Sequence, residues 1–174
     1  MSSRGSSVRL ITTRLVLLGL AVAFGARVSA QSPGLTRAGD RAAVVIDCEH
    51  GSVKSLVASV YFNRRAQERG LTYRGVAMGV APDAAVPAPV RDGLSADGFD
   101  VADFVPQAFE ASAAAHAALV VSFDQDVTKM LGGRVRHLKW DDLPGVLPDY
   151  SRGRDAIVRR VDALLDDLAR GASP

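Results

Sequence analysis

The stretch Val44-Val-Ile-Asp-Cys48-Glu-His-Gly-Ser-Val-Lys54-Ser55 limits the possible folds more than any other part of the 174-residue chain. Ala43 to Ile46 is a short unbroken apolar run, the mark of a strand buried on both faces. From Val53 the apolar residues fall at Val53, Leu56, Val57 and Val60, the i, i+3, i+4, i+7 spacing of a helix with one buried side. The local order is therefore strand, tight loop, helix. A loop of that kind aims successive backbone N–H groups and the positive end of a helix dipole at one point, which makes an anion site. A thiol standing at such a point is favoured as its anion, the nucleophilic form. The chain's only cysteine, Cys48, stands there.

The rest of the chain continues in the same alternation. The spacing predicts that the first helix runs to about Arg69, where Gly70 stops it, and that Leu71 to Val80 is a second strand turned by Ala81-Pro-Asp83. Val86, Val90 and Leu94 share one face of a short helix that ends before Gly98. Asp100 to Phe104 is loop, and Pro106 suits the first turn of a helix through the alanine-rich stretch to about Ala117. Ala118 to Phe123 reads as a buried strand, left through Asp124-Gln-Asp126, with Asp124 as a strand-end turn. Gly132-Gly133 precedes a last strand within Arg134 to Trp140, Asp141-Asp142-Leu-Pro144 ends it, and Gly145 to Pro148 is loop. Ser151 or Asp149 caps the final helix, where Ile157, Val158, Val161, Leu164, Leu165 and Leu168 form the strongest amphipathic pattern. This order predicts an α/β domain of three layers, α/β/α, on a four-stranded parallel sheet with right-handed crossovers. Ligands of such sheets gather at the carboxyl ends of the strands, so the loop at Cys48 and the turns at Asp124 and Asp141-Asp142 converge on one pocket.

The ends of the chain read differently from its middle. Arg4, Arg9 and Arg14 precede the apolar run Leu15 to Ala26, and Val28-Ser-Ala30 places small residues where a signal peptidase reads. Residues 1–30 are therefore expected to be a secretory signal, with a secreted or periplasmic mature chain from about Gln31, a linker over 31–41 and one domain over 42–171. The leader holds four arginines and no acid, so the formal charge of +2 becomes about −2 without it. Nothing then points to nucleic acid, nor to a membrane after cleavage. One cysteine makes no internal disulfide, and in an exported chain that leaves a buried bystander, an intermolecular partner or a reactive thiol. His50, His116 and His137 lack metal-ligand spacing, so no metal and no cofactor is expected.

Three features together carry a resemblance over most of Ala43 to Arg170. They are Cys48-x5-Lys54-Ser55 after the first strand, the late Asp142-Leu-Pro144, and the closing Tyr150-x-x-x-Arg154-Asp155-x-Ile157 helix. The chain resembles the low-molecular-weight protein tyrosine phosphatases and the arsenate reductases that share their fold. The resemblance implies Cys48 as nucleophile and Glu49, His50, Gly51, Ser52, Val53 and Lys54 as the cradle for phosphate, arsenate or a phosphorylated substrate. Ser55 would hydrogen-bond within the loop, and Asp142, or alternatively Asp141, would be the general acid. The implied activity is phosphomonoester hydrolysis through a phosphocysteine. The alternatives are a single-cysteine arsenate reductase using a small thiol and an oxyanion-binding module with weak turnover. The chain departs from the family pattern at Lys54, where an arginine would grip two phosphate oxygens at once and an ammonium is a point charge. Asp47 and Glu49 also flank the cysteine, opposing its thiolate unless both side chains point away.

Overall fold

The structure, a computed structural model, describes residues 42–133 and 135–171. The leader over 1–30 and the linker over 31–41 lie outside the described residues.

Ala42–Cys48 forms β1, and Val44, Val45 and Ile46 within it are at most 1% exposed, as an apolar run in a central parallel strand must be. It pairs on one side with β2, Tyr73–Gly79, and on the other with β3, Leu119–Ser122, which in turn pairs with β4, His137–Lys139. The sheet order is β2-β1-β3-β4, parallel throughout. Helices α1, Lys54–Glu68, and α4, Tyr150–Ala169, share the larger core with Val44, Ile46 and Cys48. Helix α2, Ala88–Ala96, adds Val90 and Leu94 to that core. The opposite face is covered more thinly, by Phe109, Ala114 of α3 (Ala111–Ala115), Val127 and Leu131 over Val45, Met78 and Val120. Between β3 and β4 lies a 3-10 turn, Thr128–Met130. Among the described residues no helix is long and apolar enough to cross a membrane.

Two helix ends follow directly from glycine. After α1, Gly70 takes φ 66° and the Leu71 N–H reaches back 2.9 Å to the Ala66 carbonyl. After α2, Gly98 takes φ 78° and the Phe99 N–H reaches the Leu94 carbonyl at 2.9 Å. Both are six-to-one closures in which a left-handed residue satisfies the last carbonyls. Asp149 caps α4 by accepting from the Arg152 N–H at 3.0 Å.

One expected helix is cut short. Pro106 does not begin a helix to Ala117, because residues 107–109 lie extended against the end of β2. There the Gly79 N–H donates to the Gln107 carbonyl at 2.9 Å and the Phe109 N–H to the Gly79 carbonyl at 2.8 Å. A backbone committed to strand pairing cannot also close helical turns, so α3 starts only at Ala111.

Candidate active site

Strand β1 carries Cys48 to the carboxyl end of the sheet, 5% exposed, with its Sγ 3.1 Å from Oγ of Ser55 in the first turn of α1. Between them the loop sorts its polar groups. The carbonyls of Cys48, Glu49 and His50 accept from the N–H groups of Val80, Ala81 and Asp83 at 3.3, 2.8 and 3.0 Å. Among the described residues, no backbone carbonyl accepts from the N–H groups of Glu49 to Val53. Three of the loop's acceptors are engaged and its donors are left, which is the composition of an anion nest.

Gly51, at φ 66°, makes the turn possible, and it rests backbone to backbone on β2: a Cβ on Gly79 would lie 2.3 Å from the Gly51 nitrogen. Beside the loop is a cavity of about 230 Å³ lined by Cys48, Glu49, His50, Val53 and Lys54. Phe123, Asp124 and Gln125 from the end of β3 and residues 145–148 complete its wall. Gly153 of α4 lets the helix approach that last segment, since a Cβ there would lie 2.8 Å from Cα of Val146.

Lys54 is 12% exposed, and its Nζ donates to Oδ2 of Asp124 at 2.6 Å and to the Leu143 carbonyl at 2.9 Å. Asp124 has φ 55°, an uncommon conformation for a residue with a side chain, and its N–H donates to Oδ1 of Asp141 at 3.1 Å. His50 places Nδ1 3.3 Å from Oδ1 of Asp83, whose Oδ2 accepts from Ser52 Oγ at 2.5 Å. Of the two acids flanking the cysteine, Glu49 stays at the cavity in contact with water and Asp47 leaves the site. The Glu49 side chain is 59% exposed, and Asp47, by the alternation of a strand, enters the opposite face of the sheet. There it is fully buried, both carboxyl oxygens lack a partner among the described residues, and burial pushes its pKa up to about 7.

A Bacillus subtilis YwlE mutant has a similar structure, at TM-score 0.64 and 15% identity, covering 74% of this chain and 99% of that one. A protein tyrosine phosphatase from Entamoeba histolytica is as similar, at TM-score 0.64 and 16% identity, over 75% and 98% of the two chains. The chain has the low-molecular-weight phosphatase fold. A thioredoxin-dependent arsenate reductase from Corynebacterium glutamicum shares it, at TM-score 0.61 and 20% identity. That match covers 75% of this chain and 63% of the reductase. No protein-family model matches the sequence, and no curated protein matches it either.

Within this phosphatase fold, Glu49, His50, Val53 and Lys54 line the cavity with Cys48, whereas Gly51, Ser52 and Ser55 stand behind it and shape the loop. The expected acids are not brought there. Asp142 is 68% exposed and paired with Arg160 at 2.6 Å, and the Asp141 carboxylate is taken by the Asp124 backbone. The physical reason is the chain path: Leu143 turns its carbonyl to Lys54, so the segment that reaches the cavity is Gly145 to Pro148, beyond both acids.

Sequence reasoning assigned Asp124 to a turn and missed its pairing with Lys54. A polar residue at the carboxyl end of a central strand was the available signal. Asp83, in the turn after β2, braces the cradle through Ser52 and the His50 carbonyl, and no local pattern marks it. Trp140 and Tyr150 pack away from the cavity, Trp140 against Phe123 with ring centroids 5.4 Å apart. His116 bonds to the Ser112 carbonyl and His137 to Ser122, and among the described residues no cluster suited to a metal forms.

Proposed function

We propose that this protein is a phosphatase of the cysteine-nucleophile type, hydrolysing phosphomonoesters, aryl phosphates above all. The observation that carries the reading is the cavity beside Cys48 and the loop Glu49 to Val53, whose N–H groups meet no backbone carbonyl among the described residues. The Cys48 thiolate attacks phosphorus, while the loop amides and Lys54 hold the non-bridging oxygens as charge develops on them. Water then hydrolyses the phosphocysteine. Asp141 and Asp142 are both engaged away from the cavity wall, so the reading assigns neither of them a part in the reaction.

The test is hydrolysis of p-nitrophenyl phosphate by the chain and by Cys48→Ser. A wild-type rate equal to that of the serine variant excludes the enzyme. A second reading, an oxyanion-binding module with weak turnover, is favoured by the commitment of Lys54 to Asp124 and the Leu143 carbonyl. Calorimetric binding of phosphate without hydrolysis would select it. The same cradle fits arsenate, and arsenite formation with glutathione, lost in Cys48→Ser, would select the single-thiol reductase. We further infer an exported protein, on the support of the arginine-led apolar run Leu15 to Ala26 and Val28-Ser-Ala30.

A further inference from the structure

The cavity wall holds five groups that can carry a proton: Cys48, Glu49, His50, Lys54 and Asp124. Cys48 is the nucleophile. Lys54 and Asp124 are bound to each other at 2.6 Å, and Lys54 donates again to the Leu143 carbonyl. Glu49 projects into water, with 59% of its side chain exposed. That leaves His50, two residues after the nucleophile and half exposed at the cavity. Imidazole is also the side chain that both carries and releases a proton near neutrality.

His50 is held in a way the other four are not. Asp83 Oδ1 lies 3.3 Å from its Nδ1. Asp83 is itself pinned twice, by the hydroxyl of the fully buried Ser52 at 2.5 Å and by its own N–H to the His50 carbonyl at 3.0 Å. Nδ1 faces Asp83, and Nε2, 3.7 Å from Oε2 of Glu49, is the ring nitrogen left to exchange a proton. A carboxylate that orients a histidine beside a nucleophile is the arrangement general acid–base chemistry uses.

We propose that His50 is the catalytic proton donor of this site and Asp83 its positioning residue, an inference that rests on the phosphatase reading above. As the Sγ–P bond of Cys48 forms and the P–O bond to the leaving group breaks, the leaving oxygen takes the proton from Nε2 and the imidazolium becomes imidazole. In the second half a water oxygen bonds to phosphorus, the P–S bond breaks to return the thiolate, and the water's proton goes to Nε2.

The experiment compares kcat/KM for phenyl phosphate, whose leaving group needs a proton, with that for 2,4-dinitrophenyl phosphate, whose leaving group does not. His50→Gln is expected to lose about a hundredfold on phenyl phosphate and less than about threefold on dinitrophenyl phosphate. Asp83→Asn, acting through the ring's orientation, is expected to lose about tenfold on phenyl phosphate alone. Retained activity on dinitrophenyl phosphate shows that both variants keep the cradle. An equal loss on the two substrates would mean that His50 is structural and would overturn the inference, as would no loss on either. A wild type no faster than Cys48→Ser on dinitrophenyl phosphate would overturn the phosphatase reading and the donor with it.

Discussion

Asp47 buries a carboxyl with neither oxygen partnered among the described residues, one residue before the nucleophile and on the other face of the sheet. A carboxylate stripped of water and given no donor keeps its proton, hence the rise to about 7. Because the folded pKa lies above the unfolded one, the folded state holds a proton that the unfolded chain has released. The contribution to stability is then complete below the unfolded value, and it is lost as pH rises toward 7. Asp47→Asn removes the titration and keeps the shape. It is expected to unfold at higher urea than wild type at pH 8, by a few kcal/mol on the order set by the shift, and at nearly the same urea at pH 4. Urea midpoints for the two proteins at both pH values check this, and equal midpoints at pH 8 would rule out a buried charge. Lys54 presents the opposite case, a cation that donates to both the Asp124 carboxylate and the Leu143 carbonyl. Its placement explains how an ammonium can stand where the resembled family has an arginine without being left unpaired.

Strand β2 is the element on which the cradle is built, although it contributes no residue to the cavity wall. Its last residue, Gly79, is gripped by the extended segment 107–109 on one side and touched by the Gly51 turn on the other. A methyl on Gly79 would stand 2.3 Å from the Gly51 nitrogen and 2.7 Å from the His50 carbonyl carbon, both backbone atoms that no rotamer change can move. Gly79→Ala is therefore expected to destabilise the protein by about 1–3 kcal/mol and to weaken phosphate binding more than tenfold. A thermal melt and phosphate calorimetry on one preparation would check both. Further back on the same edge strand, the Asn63 amide of α1 accepts from the Gly75 N–H at 2.8 Å and donates to its carbonyl at 3.0 Å. It substitutes for a neighbouring strand and blunts the edge against pairing with another chain.

The helices on the larger-core face are joined through one carboxylate. Asp97, at the end of α2, accepts from Tyr61 of α1 at 2.8 Å, from Tyr150 of α4 at 2.7 Å, and from Arg154 of α4 through both oxygens at 2.7 Å. Burial by itself would raise the Asp97 pKa, but the hydrogen bonds from Tyr150, Tyr61 and Arg154 hold it below the usual range. The folded pKa is depressed, so this stabilisation is present above the unfolded value and lost as pH falls through the folded one. Asp97→Ala leaves a guanidinium and two hydroxyls without their acceptor in a site where the Asp97 and Arg154 side chains are 21% and 22% exposed. The expected cost is about 3 kcal/mol at pH 7, shrinking in acid, and urea unfolding at pH 7 and pH 3 checks it. Phosphate affinity should survive, because none of these residues lines the cavity.

How much of this could be read from the residues in order depends on how local the physics is. The strand ending in Cys48, the helix behind it, the glycine stops at Gly70 and Gly98 and the Asp149 cap all rest on contacts within a few positions. The parallel sheet follows from the alternation of such elements, and the cysteine cradle from the strand-loop-helix junction itself. The N–H groups of Glu49 to Val53 are thus foreseeable in kind. The helix expected from Pro106 fails because Gly79, 27 positions away, competes for the same backbone. Spacing close to an Asp-Pro step drew Asp142 into the site. In the fold Arg160 takes its carboxylate, and the chain reaches the cavity only at Gly145. The partner of Lys54 lies 70 positions on and that of Ser52 lies 31 on, across strands whose order no local pattern encodes. Periodicity reports which side of an element is buried, whereas which charge meets which is a property of the packed sheet.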